Sequence, residues 1–262
     1  MGVSCVLFLL LMYTVVVIPL ELSYDPYNPC STFPTFHASM AVDVCFLIEI
    51  AYRFFVGVYI DGQYHDNIHT IARMYATSPG GLWFDLITSI PFTWIQWSFV
   101  ALHGCGTSSQ WPARVTLLRL LKPVRMAKIL RLLKTVSLFA TVRQLLHGRV
   151  SQGTLRCTRL FLLVVVAIHY FACGFWMIKW SQSEETFARW LENYGLDLSS
   201  RFDVYVLFFY FVSTTMTTVG YGDVAGSTSR ERMFVVALQM AAVVAVGTIV
   251  SQMQQVRTVR FS

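Results

Sequence analysis

Along this chain of 262 residues the hydrophobic positions gather into long runs, not the short periodic stripes of a soluble fold. Charge-free runs occupy Met1 to Leu20, Leu160 to Ile178 and Met233 to Val256, each close to the ~20 residues that cross a bilayer as helix. Three further apolar segments are interrupted by charges: Ser39 to Ile60 by Asp43, Glu49 and Arg53, Leu82 to Leu102 by Asp85, and Val115 to Thr135 by a series of Lys and Arg. The pattern predicts an all-α membrane protein with six transmembrane helices. One more apolar stretch, Val204 to Val219, is too short to cross and predicts a re-entrant segment. Irregular backbone at that depth is tolerated only where it lines water or is buried in protein.

Composition agrees with a membrane class: 55% of residues are hydrophobic and 13% charged, against about a quarter charged in soluble domains. The net charge of +6 does not point to nucleic acid, because seven of the 20 basic residues fall between Arg114 and Lys134, inside one expected span. The six cysteines form no CxxC pair, so neither a structural metal site nor a disulfide framework is indicated. Cys45 and Cys173 fall mid-span and read as small apolar residues. The first run has no basic n-region and no Lys or Arg precedes Arg53, which argues against a cleaved signal peptide. Basic residues in the connecting loops divide too evenly to orient the chain. His147 and His169 lack nucleophile or acid partners at motif spacing, so no enzyme is expected, and no cofactor.

In "RLLKPVRMAKILRLLK" a charge falls at Arg119, Lys122, Arg125, Lys128, Arg131 and Lys134, with only apolar residues or Pro123 between. At about 100° per residue a three-residue step retreats by about 60°, so these charges spiral around an α-helix instead of forming one polar face. A surface amphipathic helix would keep them on one side. The spacing implies a voltage sensor, a helix that hands its charges one after another past a narrow crossing. One charge moved through the field gains about 2.3 kcal/mol per 100 mV, so three in each of four subunits would supply roughly 28 kcal/mol. Asp43, Glu49 and Asp85, the acids within the first four spans, are the natural countercharges. Arg53 reads as snorkelling at a membrane edge, and Phe46, one turn before Glu49, reads either as a plug at the crossing or as lipid-facing packing.

The segment "TTMTTVGYGDV", Thr214 to Val224, places Gly220 and Gly222 around a tyrosine, with an acid after them. It matches the TVGYG filter loop of potassium channels, a match and not a derivation. The chemistry can still be argued: successive carbonyls point to one axis if alternate residues take left-handed dihedrals, which glycine adopts without a Cβ penalty. Thr218, Val219, Gly220, Tyr221 and Gly222 form the expected filter for permeant K⁺, with Thr217 and Asp223 as its support. Residues 205–217 would form a pore helix whose partly negative C-terminal end favours a cation. One filter segment encloses no pore, and there is no internal repeat, so four copies must meet around an axis.

With these motifs in place, the chain resembles the six-helix voltage-gated cation channels, in the branch of the ether-à-go-go, hyperpolarisation-activated, cyclic-nucleotide-gated and plant inward-rectifier channels. Beyond sensor and filter, "YTVVVIPLE" resembles the first span, "IDGQYHDNIHTIARMYATSPGGLWFDLITSIPF" the cytoplasmic second-to-third connection and third span, and "HYFACGFW" the fifth span. The resemblance implies a voltage-sensor domain at 1–135, a linker at 136–158 and a pore domain at 159–262. It also implies the roles of the sensor charges, the three acids and the Phe46 plug, and GYGD favours potassium selectivity. The expected assembly is a homo- or hetero-tetramer in the lipid bilayer, multi-pass and in the plasma membrane, with no nucleic-acid partner. Three features depart from the family. Its glycine early in the sixth span is replaced by the "MAAV" region, leaving Gly247 as the gate-hinge candidate. Pro123 interrupts the sensor charges. The family's linker and cyclic-nucleotide-binding domain do not follow Ser262, which leaves open a truncated regulatory or silent subunit that co-assembles with full-length chains.

Overall fold

The computed structural model describes residues 2–24, 35–60, 63–78, 81–91, 94–95, 98 and 152–261. The six basic positions from Arg119 to Lys134 lie outside the described residues. The described chain is helical apart from one small hairpin, and it forms two compact units. The first holds helix α1 (Gly2–Tyr24) as far as Ile18, α2 (Phe36–Arg53), strands β1 (Val58–Ile60) and β2 (Gln63–His65), α3 (Ile68–Thr77) and α4 (Leu82–Ser89). The second holds the end of α1 from Pro19, then α5 (Gln152–Trp180), α6 (Glu184–Glu192), α7 (Arg201–Met216) and α8 (Ser229–Phe261). Among the described residues three helices are long and apolar enough to cross a membrane, over Val6–Ser23, Gly153–Trp180 and Ser229–Gln252.

In the first unit, Leu11 of α1 packs with Val42 and Phe46 of α2, the latter two one turn apart on one face. Tyr13 hydroxyl lies 3.3 Å from Ser39 Oγ across the same seam. The sequence pattern carries the second span on to Ile60, but α2 ends at Arg53, where the Phe54 N–H closes onto the Ala51 carbonyl and the Phe55 N–H onto that of Tyr52. Residues 58–60 pair instead with 63–65 as an antiparallel hairpin, Tyr59 opposite Tyr64. The reason is local: Val58, Tyr59 and Ile60 are strong strand formers, and the two intervening residues, Asp61 and Gly62, are a preferred hairpin pair. Asn67 caps α3 by accepting the His69 N–H at 3.0 Å. Helix α4 stops at Ile90, whose extended backbone is the one that Pro91 imposes on its predecessor.

The second unit is built on aromatic packing. From α5, Ala172, Phe175 and Trp176 are buried against Phe208, Phe211 and Val212 of α7, and Leu238 and Ala242 of α8 complete the core. The Phe175 ring lies 4.8 Å from that of Phe211 and 5.9 Å from that of Phe234, within the range of favourable aromatic pairs. A Cβ at Gly174 would sit 3.2 Å from the Phe234 ring, so the missing side chain lets α5 and α8 approach closely. Helix α7 begins four residues before the 205 expected from the apolar run, because Arg201, Phe202 and Asp203 form its first turn. At about 1.5 Å per residue its 16 residues span ~24 Å, short of the ~30 Å hydrocarbon core. Helix α6, which the hydrophobic pattern does not reveal, starts on a Ser183 cap whose Oγ accepts the Thr186 N–H at 3.2 Å.

Candidate functional site

The loop after α7 is fixed by the end of its own helix. Thr217 N–H closes onto the Ser213 carbonyl at 2.9 Å and Thr218 N–H onto Thr215 at 3.1 Å. Val219 and Gly220 then both donate to the Thr214 carbonyl, at 2.9 and 3.1 Å. Gly220 and Gly222 take φ of 55° and 80°, the left-handed region that their sequence positions lead one to expect. Thr218 joins them at φ 64°, which a residue with a Cβ adopts only under constraint. Left-handed residues therefore alternate with Val219 and Tyr221 along the loop. Residues 217 to 223 are all exposed, whereas Val224 is buried and anchors the far end.

Asp223 has two tyrosine partners that sequence reasoning does not identify. Tyr210, on α7, donates its hydroxyl to Asp223 Oδ2 at 2.8 Å, and its ring stacks at 9° to that of Tyr221. Tyr194, just after α6, donates to the Asp223 carbonyl at 3.1 Å. Burial, with the Asp223 charge second, holds the Tyr194 phenol above its ordinary range and keeps it a donor. The apolar stretch VYVLFFYFV carries hydroxyls at both Tyr205 and Tyr210, so residue type alone does not single out the second. Between the loop and α8 lies a cavity of about 460 Å³, lined by Thr214, Thr215 and Thr218 on one side and Gln239 and Val243 on the other. Gly247, further along α8, has open space around it, and the helix runs through it unbroken.

In the first unit, Asp43 and Phe46 are buried on the inner face of α2 and Asp85 is buried on α4. Among the described residues, Glu49 and Asp85 share the cation of Arg53. Its guanidinium lies 2.5 Å from Glu49 and 3.4 Å from Asp85, so Arg53 turns back onto the acids instead of snorkelling. Tyr75 of α3 donates its hydroxyl to Asp85 Oδ2 at 2.5 Å. Burial first, and the Asp85 hydrogen bond second, push the Tyr75 phenol up. A close approach secures this contact: a Cβ at Gly81 would lie 2.1 Å from the Tyr75 carbonyl oxygen, so only glycine lets α4 start there.

The sequence profile of the family described as ion transport protein matches residues 2–256. The chain belongs to that family. An ion transport protein with helices of this length and apolarity is a membrane protein, and the family is one of transport and not of enzymes. Among its relatives, the chain is 28% identical over 235 residues to potassium channel AKT1 of Oryza sativa subsp. indica, covering 87% of this chain and 22% of that protein. It is 26% identical over 236 residues to potassium channel KAT3 of Oryza sativa subsp. japonica, covering 87% and 42%. With the human voltage-gated inwardly rectifying potassium channel KCNH6 the identity is 23% over 261 residues, covering 89% and 25%. The ion transport chain thus spans between about a fifth and two fifths of the length of these relatives. All three are named as potassium channels, two from a plant and one human.

Proposed function

We propose that this chain is a subunit of a voltage-dependent, potassium-selective channel of the plasma membrane, four copies of which surround one pore. The reading divides the chain into a voltage sensor at 1–135, a linker at 136–158 and a pore domain at 159–262, with six membrane-spanning helices in all. The observation that carries it is the alternation of left-handed backbone at Thr218, Gly220 and Gly222 in an exposed loop at the end of a helix too short to cross. Neutral carbonyl oxygens on one side of such a loop suit an alkali cation stripped of its water. Three supports stand beside it: the relatives named as potassium channels, the tyrosine bracing of Asp223, and the need for further copies to surround a loop that its own chain leaves open. The six charges from Arg119 to Lys134 act as the sensor, Asp43, Glu49 and Asp85 as countercharges, Phe46 as the plug at the crossing and Gly247 as the gate hinge.

Voltage clamp of cells expressing the chain, with external potassium exchanged for sodium, tests this. The expected result is a voltage-dependent current whose reversal potential follows the potassium gradient. A current that ignores the exchange would remove the selectivity assignment.

A further inference from the structure

A buried ion pair joins the two long helices of the second unit. Lys179, in the last turn of α5, is 2.9 Å from Glu231, in the first turn of α8, and their side chains are 2% and 0% exposed. Removing both charges from water is costly unless every polar atom is satisfied, and here the carboxylate is. Its Oε2 also accepts the Ser227 N–H at 2.7 Å, and its Oε1 accepts Gln182 Nε2. Each charge also suits its helix end, the cation at a C-terminus and the anion at an N-terminus. The ammonium also lies over the face of Trp190 on α6, 4.0 Å from the ring centroid. Trp190 stacks at 4° on Phe208 of α7 and lies 4.7 Å from the ring of Tyr194, the residue whose hydroxyl holds the Asp223 carbonyl.

We propose that Lys179 is a positioning residue for the outer end of the pore loop, acting through Glu231, Trp190 and Tyr194. The proposal rests on the pore reading above. Everything between the paired residues, from Trp180 to Arg230, lies within the loop of chain that this pair closes. Holding those ends together restricts the excursions of the enclosed segment, as a crosslink would. The Trp190 contact passes that restraint to Tyr194 and so to Asp223, where Gly222 leaves its left-handed conformation. Loss of the ammonium leaves a buried carboxylate unpaired and frees the ring. The outer end of the loop then leaves its conducting conformation more readily, and potassium, if that conformation is the one that binds it, opposes the change by mass action.

The test measures how long potassium current persists during sustained opening, at low and high external potassium, in the full chain at matched surface level. Lys179→Met is expected to speed current decay about tenfold or more, the scale set by breaking one partner of a buried pair. Raising external potassium should slow that decay, Lys179→Arg should restore the wild-type rate, and the voltage midpoint should not move. Should Lys179→Met fail to reach the surface, Trp190→Leu decides, since it leaves the ion pair intact and cuts the link to Tyr194; it is expected to speed decay about threefold. Decay at the wild-type rate in the variant that reaches the surface, or decay indifferent to external potassium, overturns the proposal. A wild-type current that does not distinguish potassium from sodium instead overturns the pore reading itself.

Discussion

The two units place their charges in opposite ways. In the second, the buried pair Lys179 and Glu231 is sealed among aromatic rings with each carboxylate oxygen satisfied. In the first, Arg53 is 39% exposed and divides itself between Glu49 and Asp85, one contact short and the other long. A sealed pair resists exchange, because either partner alone is stranded in a low-dielectric site. A half-exposed, divided cation can be traded for another. The first arrangement suits a scaffold that holds a strained loop, the second a site past which cations move.

The comparison would be broken most decisively at the loop. Gly222→Ala adds a methyl at φ 80°, which costs roughly 1 kcal/mol or more in each copy. Loss of conduction, or of potassium over sodium selectivity, is expected in assembled channels whose sensor charge still moves; unchanged selectivity would return the segment to an ordinary turn. Val219→Ala should be milder. Next comes the sensor: neutralising Arg125 and Lys128 together should flatten the conductance-voltage curve, as two of six charges per subunit leave the field. An unchanged slope in a well-expressed double variant would end the sensor assignment.

Asp85→Asn should have a smaller but measurable effect, trapping the sensor or lowering surface expression, because Tyr75 and Arg53 both lose a charged partner. Normal gating and trafficking would mean that the exchange site does not depend on Asp85. The smallest effect sharpens the contrast. Tyr210→Phe deletes one exposed hydrogen bond to a carboxylate, for which water competes, and should speed current decay by a few fold without altering voltage dependence. A shift in voltage midpoint there would couple the loop's brace to the sensor and blur the division between the units.

Three of the expected spans were legible from hydropathy alone, since the first run from Gly2 onward and those beginning at Leu160 and Met233 fall within α1, α5 and α8. The loop geometry was legible at Gly220 and Gly222, where residue type and dihedral are coupled. It was not legible at Thr218, whose strain comes from the amide bonds made by the preceding turn. The end of α2 was missed because Val58, Tyr59 and Ile60 are as apolar as a span, and hydropathy does not separate strand from helix. Helix α6 was missed because it is short and amphipathic, and Lys179 with Glu231 because a pairing between distant residues leaves no periodic mark; the four-residue spacing of Glu49 and Arg53 was there to be read. The sensor charges lie outside the described residues, so their pairing with Asp43, Glu49 and Asp85 rests on the proposal.

The Thr214 carbonyl accepts two amides, those of Val219 and Gly220. A shared acceptor makes their fates joint: when that oxygen tilts away, both protons become available to solvent in one event. The loop therefore does not fray residue by residue from its exposed side. Its inner end is held at a single atom inside α7, and exchange of the two amide protons is expected to be correlated, fast together or slow together.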